Sequence, residues 1–152
     1  MADPDPVDML ARGSLPVTGR EPPGDIEALL GPASAVLREN DLLTLEYWPD
    51  RTCLMWRFTW FRGKPRLVEA NYRERALPTG ANVPAWLCAF ADVPTGLAEF
   101  ERALTGAGAA LRRRPQDDGF LLVEIEIDRP DLSQEAVFLD DQLLRLHFAW
   151  SS

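Results

Sequence analysis

The 152-residue chain predicts an α+β protein: two α-β-β-β units with antiparallel sheets packed together, and few short helices. Three observations carry this. Apolar residues recur with period two over most of the chain, the pattern of half-buried strands. Short helical patterns precede each group of such runs, and proline and glycine fall mainly between them. A hydrophobic content of 46% is enough for one domain or two tightly packed subdomains.

Residues 1–24 hold Pro4, Pro6, Pro16, Pro22 and Pro23 among scattered charges, which predicts a flexible, dispensable leader. The first unit is expected over 25–77. Asp25 is placed to cap a helix through Ile26, Leu29 and Leu30 that Gly31-Pro32 stops. From Leu42 the period is two: Leu43, Leu45 and Tyr47 on one face, Thr44, Glu46 and Trp48 on the other, with Pro49-Asp50 turning the chain. From Cys53 to Phe61, Leu54, Trp56, Phe58 and Trp60 alternate with Met55, Arg57, Thr59 and Phe61, and Gly63-Lys64 leads into a strand over Leu67–Arg73.

Residues 78–94 read as a linker anchored by one helical turn at Trp86, Leu87 and Phe90, and the second unit as 95–152. Thr95 is placed to cap a helix whose Leu97, Phe100, Ala103 and Leu104 form one apolar stripe ending at Gly106. A strand over Ala110–Arg114 precedes the clearest alternation in the chain, where Leu121, Val123, Ile125 and Ile127 oppose Glu124, Glu126 and Asp128. A last hairpin turns at Asp140-Asp141, its second strand presenting Leu144, Leu146, Phe148 and Trp150 to the core.

Residues 25–75 and 95–150 share the order of a short helix ending in glycine, a first strand and a hairpin, and read as two copies of one unit. Leu29-Leu30-Gly31-Pro32, Val36, Tyr47 and the hairpin to Tyr72 resemble small outer-membrane lipoproteins of the SmpA/OmlA type, although no lipobox cysteine stands near the start. In tandem such units are similar to β-lactamase inhibitory protein and to bacterial immunity proteins. The resemblance implies binding, not catalysis.

The net charge of −8 and pI near 4.6 disfavour nucleic acid and anionic membranes as partners and favour a basic protein. Residues 1–80 carry ten basic and twelve acidic side chains, whereas 81–152 carry six and twelve, so the acidic surface belongs to the second half. No apolar run reaches the roughly 18 residues of a membrane span, the N-terminus has no signal-peptide pattern, and Cys53 and Cys88 fit no ligand spacing. A cytoplasmic location with reduced thiols is expected.

No catalytic residue, metal site or cofactor is read from the sequence. His147 stands alone as the only histidine and is expected to be a partly exposed structural residue. Glu124 and Glu126 lie about 7 Å apart by strand rise, but lack a nucleophile or oxyanion hole nearby. Arg112-Arg113-Arg114 reads as a solvated strand end, and Trp56, Phe58 and Trp60 as core. Partner binding is assigned to Glu124, Glu126, Asp128, Asp131, Glu135, Asp140 and Asp141, with Trp48 and Phe61 lining a second interface. The function expected is an inhibitor, of the bacterial immunity type, occupying a basic surface of a toxin or enzyme. A secretion chaperone and a small-ligand-binding domain are the alternatives.

Overall fold

The computed structural model describes residues 5–48, 54–72 and 83–150. Four helices and eight strands follow the order α1 (Pro6–Arg12), α2 (Pro23–Leu30), β1 (Ala35–Glu39), β2 (Leu42–Tyr47), β3 (Met55–Phe61), β4 (Lys64–Asn71), α3 (Ala85–Ala89), α4 (Leu97–Gly106), β5 (Ala110–Pro115), β6 (Phe120–Glu126), β7 (Leu132–Leu139) and β8 (Gln142–Trp150). A 3-10 turn at Phe90–Asp92 extends α3.

The strands form one antiparallel sheet ordered β1-β2-β3-β4-β8-β7-β6-β5. The α+β class therefore stands, but the two packed sheets expected from the sequence are instead one continuous sheet. Each half supplies four consecutive strands, and the halves meet edge to edge where β4 pairs with β8. Joining two meanders this way pairs two edges that would otherwise be exposed.

All the helices lie against one face. On it Tyr47, Trp56, Ala70, Leu146, Ala136 and Val123 stand opposite one another in register across β2, β3, β4, β8, β7 and β6. They join a single apolar cluster with Leu10 of α1, Ile26 and Leu30 of α2, Leu87 and Phe90 around α3, and Leu97, Phe100 and Leu104 of α4. The alternation in Leu43, Leu45 and Tyr47 and in Trp56, Phe58 and Trp60 thus marks the helix-covered face, as period-two patterning requires. Buried Met55 and Val137 lie outside that cluster, on the second face.

The N-terminal segment corrects the sequence reading most. Residues 5–24 are a helix and a packed strap, not a leader. Asp5 caps α1, accepting from the main-chain N–H groups of Val7 at 3.0 Å and Asp8 at 3.3 Å, Pro6 occupies the first helical position, and Gly13 ends the helix at φ 65°. Leu10 is buried, and its carbonyl accepts from Gln134 Nε2 at 2.7 Å, while the Gly13 carbonyl accepts from Arg129 Nη1 at 2.8 Å. Beyond it Leu15 and Val17 enter the core. Gly19, at φ 79°, is so close to Trp150 that a Cβ there would overlap the indole.

Smaller differences concern caps and strand ends. Pro22 and Gly96, neither providing a side-chain bond, stand at the N-caps expected of Asp25 and Thr95. Strand β1 follows Gly31-Pro32 where no strand was expected. The β3–β4 turn is Arg62-Gly63, both at positive φ, one residue earlier than predicted. The Asp140-Asp141 turn is as predicted, with φ of 50° and 62°. The expected turn at Pro49-Asp50, Cys53 and the start of the linker lie outside the described residues. Cys88 is a free, half-buried thiol.

Candidate functional site

The residues assigned to partner binding do not form one acidic face. Glu124 and Glu126 point to the second face of the sheet, and Glu135 stands directly opposite Glu124. Glu124 is engaged by both neighbours on β5, with Arg114 Nη1 at 2.5 Å and Arg112 Nε at 3.6 Å. Two carboxylates in direct cross-strand opposition repel, and these guanidinium groups offset it. The arginine run is thus a neutralising edge rather than a merely solvated strand end.

Asp128 and Asp131 lie in the β6–β7 connection, where Arg129 grips Asp131 through Nη2 at 2.9 Å and Nε at 3.2 Å. Asp140 and Asp141 lie at the other end of β7, about 25 Å away by strand rise. Trp48 and Phe61 are also separated, at opposite ends of the β2–β3 pair. Trp48 is half-buried, its main-chain N–H donating to Ser34 Oγ at 3.0 Å.

A row of ionisable residues crosses the second face in register: Glu46, Arg57, Glu69, His147, Glu135, Glu124 and Arg112. Arg57 Nε donates to Glu46 Oε2 at 2.9 Å. His147 Nε2 lies 3.5 Å from Glu69 Oε2. The His147 side chain, above all, holds the Glu69 carboxyl below its ordinary pKa; burial opposes this, and the charges of Arg57 and Arg145 add to it. His147 is half-buried within this row, consistent with a structural role. Among the described residues no group of histidine, cysteine and carboxylate side chains is arranged to hold a metal.

What the tertiary structure does assemble is an acidic groove at the start of α4. The α4 N-terminus is bound to the β7–β8 turn: Leu97 N–H donates to the Asp141 carbonyl at 2.9 Å, and Leu143 N–H to the Thr95 carbonyl at 2.7 Å. The groove, of about 410 Å³, is lined by Glu99 and Glu101 of α4, by Asp141, and by Arg113 of β5. Arg113 Nε donates to Glu101 Oε2 at 2.8 Å, and this bond holds the Glu101 carboxyl below its ordinary pKa. Glu99, Asp141 and adjoining Asp140 leave the groove a net acceptor of cations. The sequence reading missed Glu99 and Glu101 because they lie on a helix about forty residues before the turn they join.

The tryptophans of the hairpin are packed into the core. Trp56 is fully buried, with Nε1 donating to the Leu87 carbonyl at 3.0 Å, and Trp60 Nε1 donates to the Glu21 carbonyl at 2.9 Å. The apolar cavity beside the strap, between Val17, Ile26, Phe58 and Trp150, measures about 20 Å³, room for roughly one water.

No protein-family model and no curated protein matches the chain. Two solved structures are similar to it: an extracellular protein containing a SCP domain from Bacillus anthracis, at 8% identity and a TM-score of 0.47, and a cysteine-rich secretory protein from Staphylococcus aureus, at 11% identity and 0.46. Each alignment covers 87% of this chain and 44% of the other, so the chain spans less than half the length of either. The expected kinship with SmpA/OmlA modules, β-lactamase inhibitory protein and immunity proteins is not found: no such protein appears among these matches. The cytoplasmic location expected from the sequence finds no support in these two proteins, which are themselves extracellular and secretory.

Proposed function

We propose that the chain is a protein-binding module, an inhibitor that covers a basic surface of a toxin or enzyme with the acidic groove at the start of α4. The observation carrying this reading is the convergence of Glu99, Glu101 and Asp141, against the single cation of Arg113, around an open groove of about 410 Å³, with Asp140 next in the same turn and the helix bound to the hairpin by main-chain bonds. An acidic groove on a chain of net charge −8 attracts a cationic surface over distance and orients it on arrival. Glu124 and Asp131 contribute less than their sequence positions imply, being already paired with arginines. Each half contributing one helix-led, four-stranded meander also supports reading the chain as two related units fused through β4 and β8.

The test is the triple variant Glu99→Gln, Asp140→Asn, Asp141→Asn. Asparagine tolerates the left-handed turn, so folding should persist. Association with a partner recovered by co-purification should slow about tenfold and lose most of its salt dependence. An unchanged rate with an unchanged salt slope would sink the proposal.

A further inference from the structure

The two edges of the sheet differ in chemistry. Edge strand β5 carries Arg112, Arg113, Arg114 and Pro115, and charge with a missing N–H is the pattern that keeps an edge from accepting another strand. Edge strand β1 is less protected: it has no proline, and its charges are confined to Arg38 and Glu39 at its end. Among the described residues it pairs only with β2, leaving one row of main-chain donors and acceptors without a strand partner there. Val36 and Leu37 on it are 50% and 51% exposed, and Leu42 of β2, opposite Glu39, is exposed too.

At the β1–β2 turn lies a groove of about 380 Å³ to which β1 contributes Arg38, lined also by Pro23, Asp41, Leu43, Trp60 and Arg62. Arg62 is occupied by Asp41 at 3.2 Å, whereas Arg38 has no ion-pair partner among the described residues. Val36 and Arg38 share the helix-side face, because they stand opposite Leu45 and Leu43, and Leu37 points to the other face.

We infer that β1 takes an extended segment of another protein as a ninth, antiparallel strand whose core reads acidic-aliphatic-aliphatic from N- to C-terminus. Main-chain bonds to β1 supply the affinity, the aliphatic pair covers Leu37 and Val36, and the carboxylate meets Arg38 at the groove. A second copy of this chain fits less well. Two β1 strands paired about Leu37 would set Val36, not a carboxylate, opposite Arg38, and two chains of charge −8 repel. A five-residue edge also falls short of the roughly 1,200 Å² that a stable dimer buries.

The probe is a synthetic peptide with a Glu-Leu-Val core flanked by threonines, titrated calorimetrically onto the full chain. Three comparisons are decisive: the peptide with lysine for glutamate, the parent peptide N-methylated at alternate amides, and the exposed substitution Arg38→Glu. The lysine peptide should bind at least about tenfold more weakly than the glutamate one. Arg38→Glu should reverse that order, and N-methylation should abolish binding. Equal affinity for both peptides, retained binding after N-methylation, or a dimer in sedimentation equilibrium that Leu37→Lys dissolves would each overturn the inference. The groove variant at Glu99, Asp140 and Asp141 should leave peptide affinity unchanged, which separates failure here from failure of the proposed function.

Discussion

At the residue scale, the centre of the molecule is Trp56. Its indole stacks near Phe58 and Phe148, meets Phe90 and Trp86 edge-on, and spends its only N–H on the Leu87 carbonyl. It thereby ties β3 to α3 and to β8, which come from both halves. Trp56→Ala would leave a large cavity and an orphaned carbonyl, and should cost about 3–5 kcal/mol in urea denaturation. A loss below about 1 kcal/mol would mean that the ring is not core. Period-two alternation sufficed to assign Trp56, Phe58 and Trp60 to one buried face. Nothing local could show that Trp56 would bond to a helix thirty-one residues away.

At the scale of elements, the N-terminal strap is the informative case. Glu21 locks it: its carboxylate accepts from Thr18 N–H at 2.8 Å and 3.1 Å, and from Arg20 N–H at 3.2 Å. Burial pushes the Glu21 pKa up, but these main-chain donors outweigh it and hold the carboxyl below its ordinary value. Removal of residues 1–24 would expose the apolar surface beneath Leu10, Leu15, Val17 and Gly19 and lose the bonds to Gln134 and Arg129. The truncated chain should lose about 5 kcal/mol or more, or fail to fold. An unchanged melting temperature would show that the strap contributes nothing. The cap signals of α1 were legible in Asp5, Pro6 and Gly13. They were outweighed because seven residues are too few to establish a periodicity, although Val7, Leu10 and Ala11 do share one face of the helix.

Across the whole molecule, carboxylates set the response to pH. Glu21, Glu69 and Glu101 all have pKa values held below the ordinary 4.5 in the folded chain. Around that pH the unfolded chain therefore binds more protons than the folded one, and stability rises with pH through this window. The contribution is complete above the ordinary carboxylate range and is lost as pH falls from 4.5 through the folded values. The urea midpoint should be flat near neutrality and fall steeply below pH 4.5, and Glu69→Gln should flatten that fall. A midpoint independent of pH down to 3 would show that these bonds add nothing to stability.

The sequence by itself determined the α+β class, most of the strands and the buried face of β2, β3 and β6, because these depend on alternation and turn chemistry within a few residues. In the last strand Leu143, not the expected Leu144, joins the core, because the pairing with β7 shifts register there. It also determined that acidic charge would gather in the second half. Only the tertiary structure decided that β4 pairs with β8, making one eight-stranded sheet with helices on a single face. Only it decided which acids are free, pairing Glu124 and Asp131 with arginines and drawing Asp141 to Glu99 across some forty residues. The physical reason is range: main-chain pairing is chemically alike for every strand, so the partner of an edge and the neighbours of a charge depend on how whole elements pack, which no local pattern encodes.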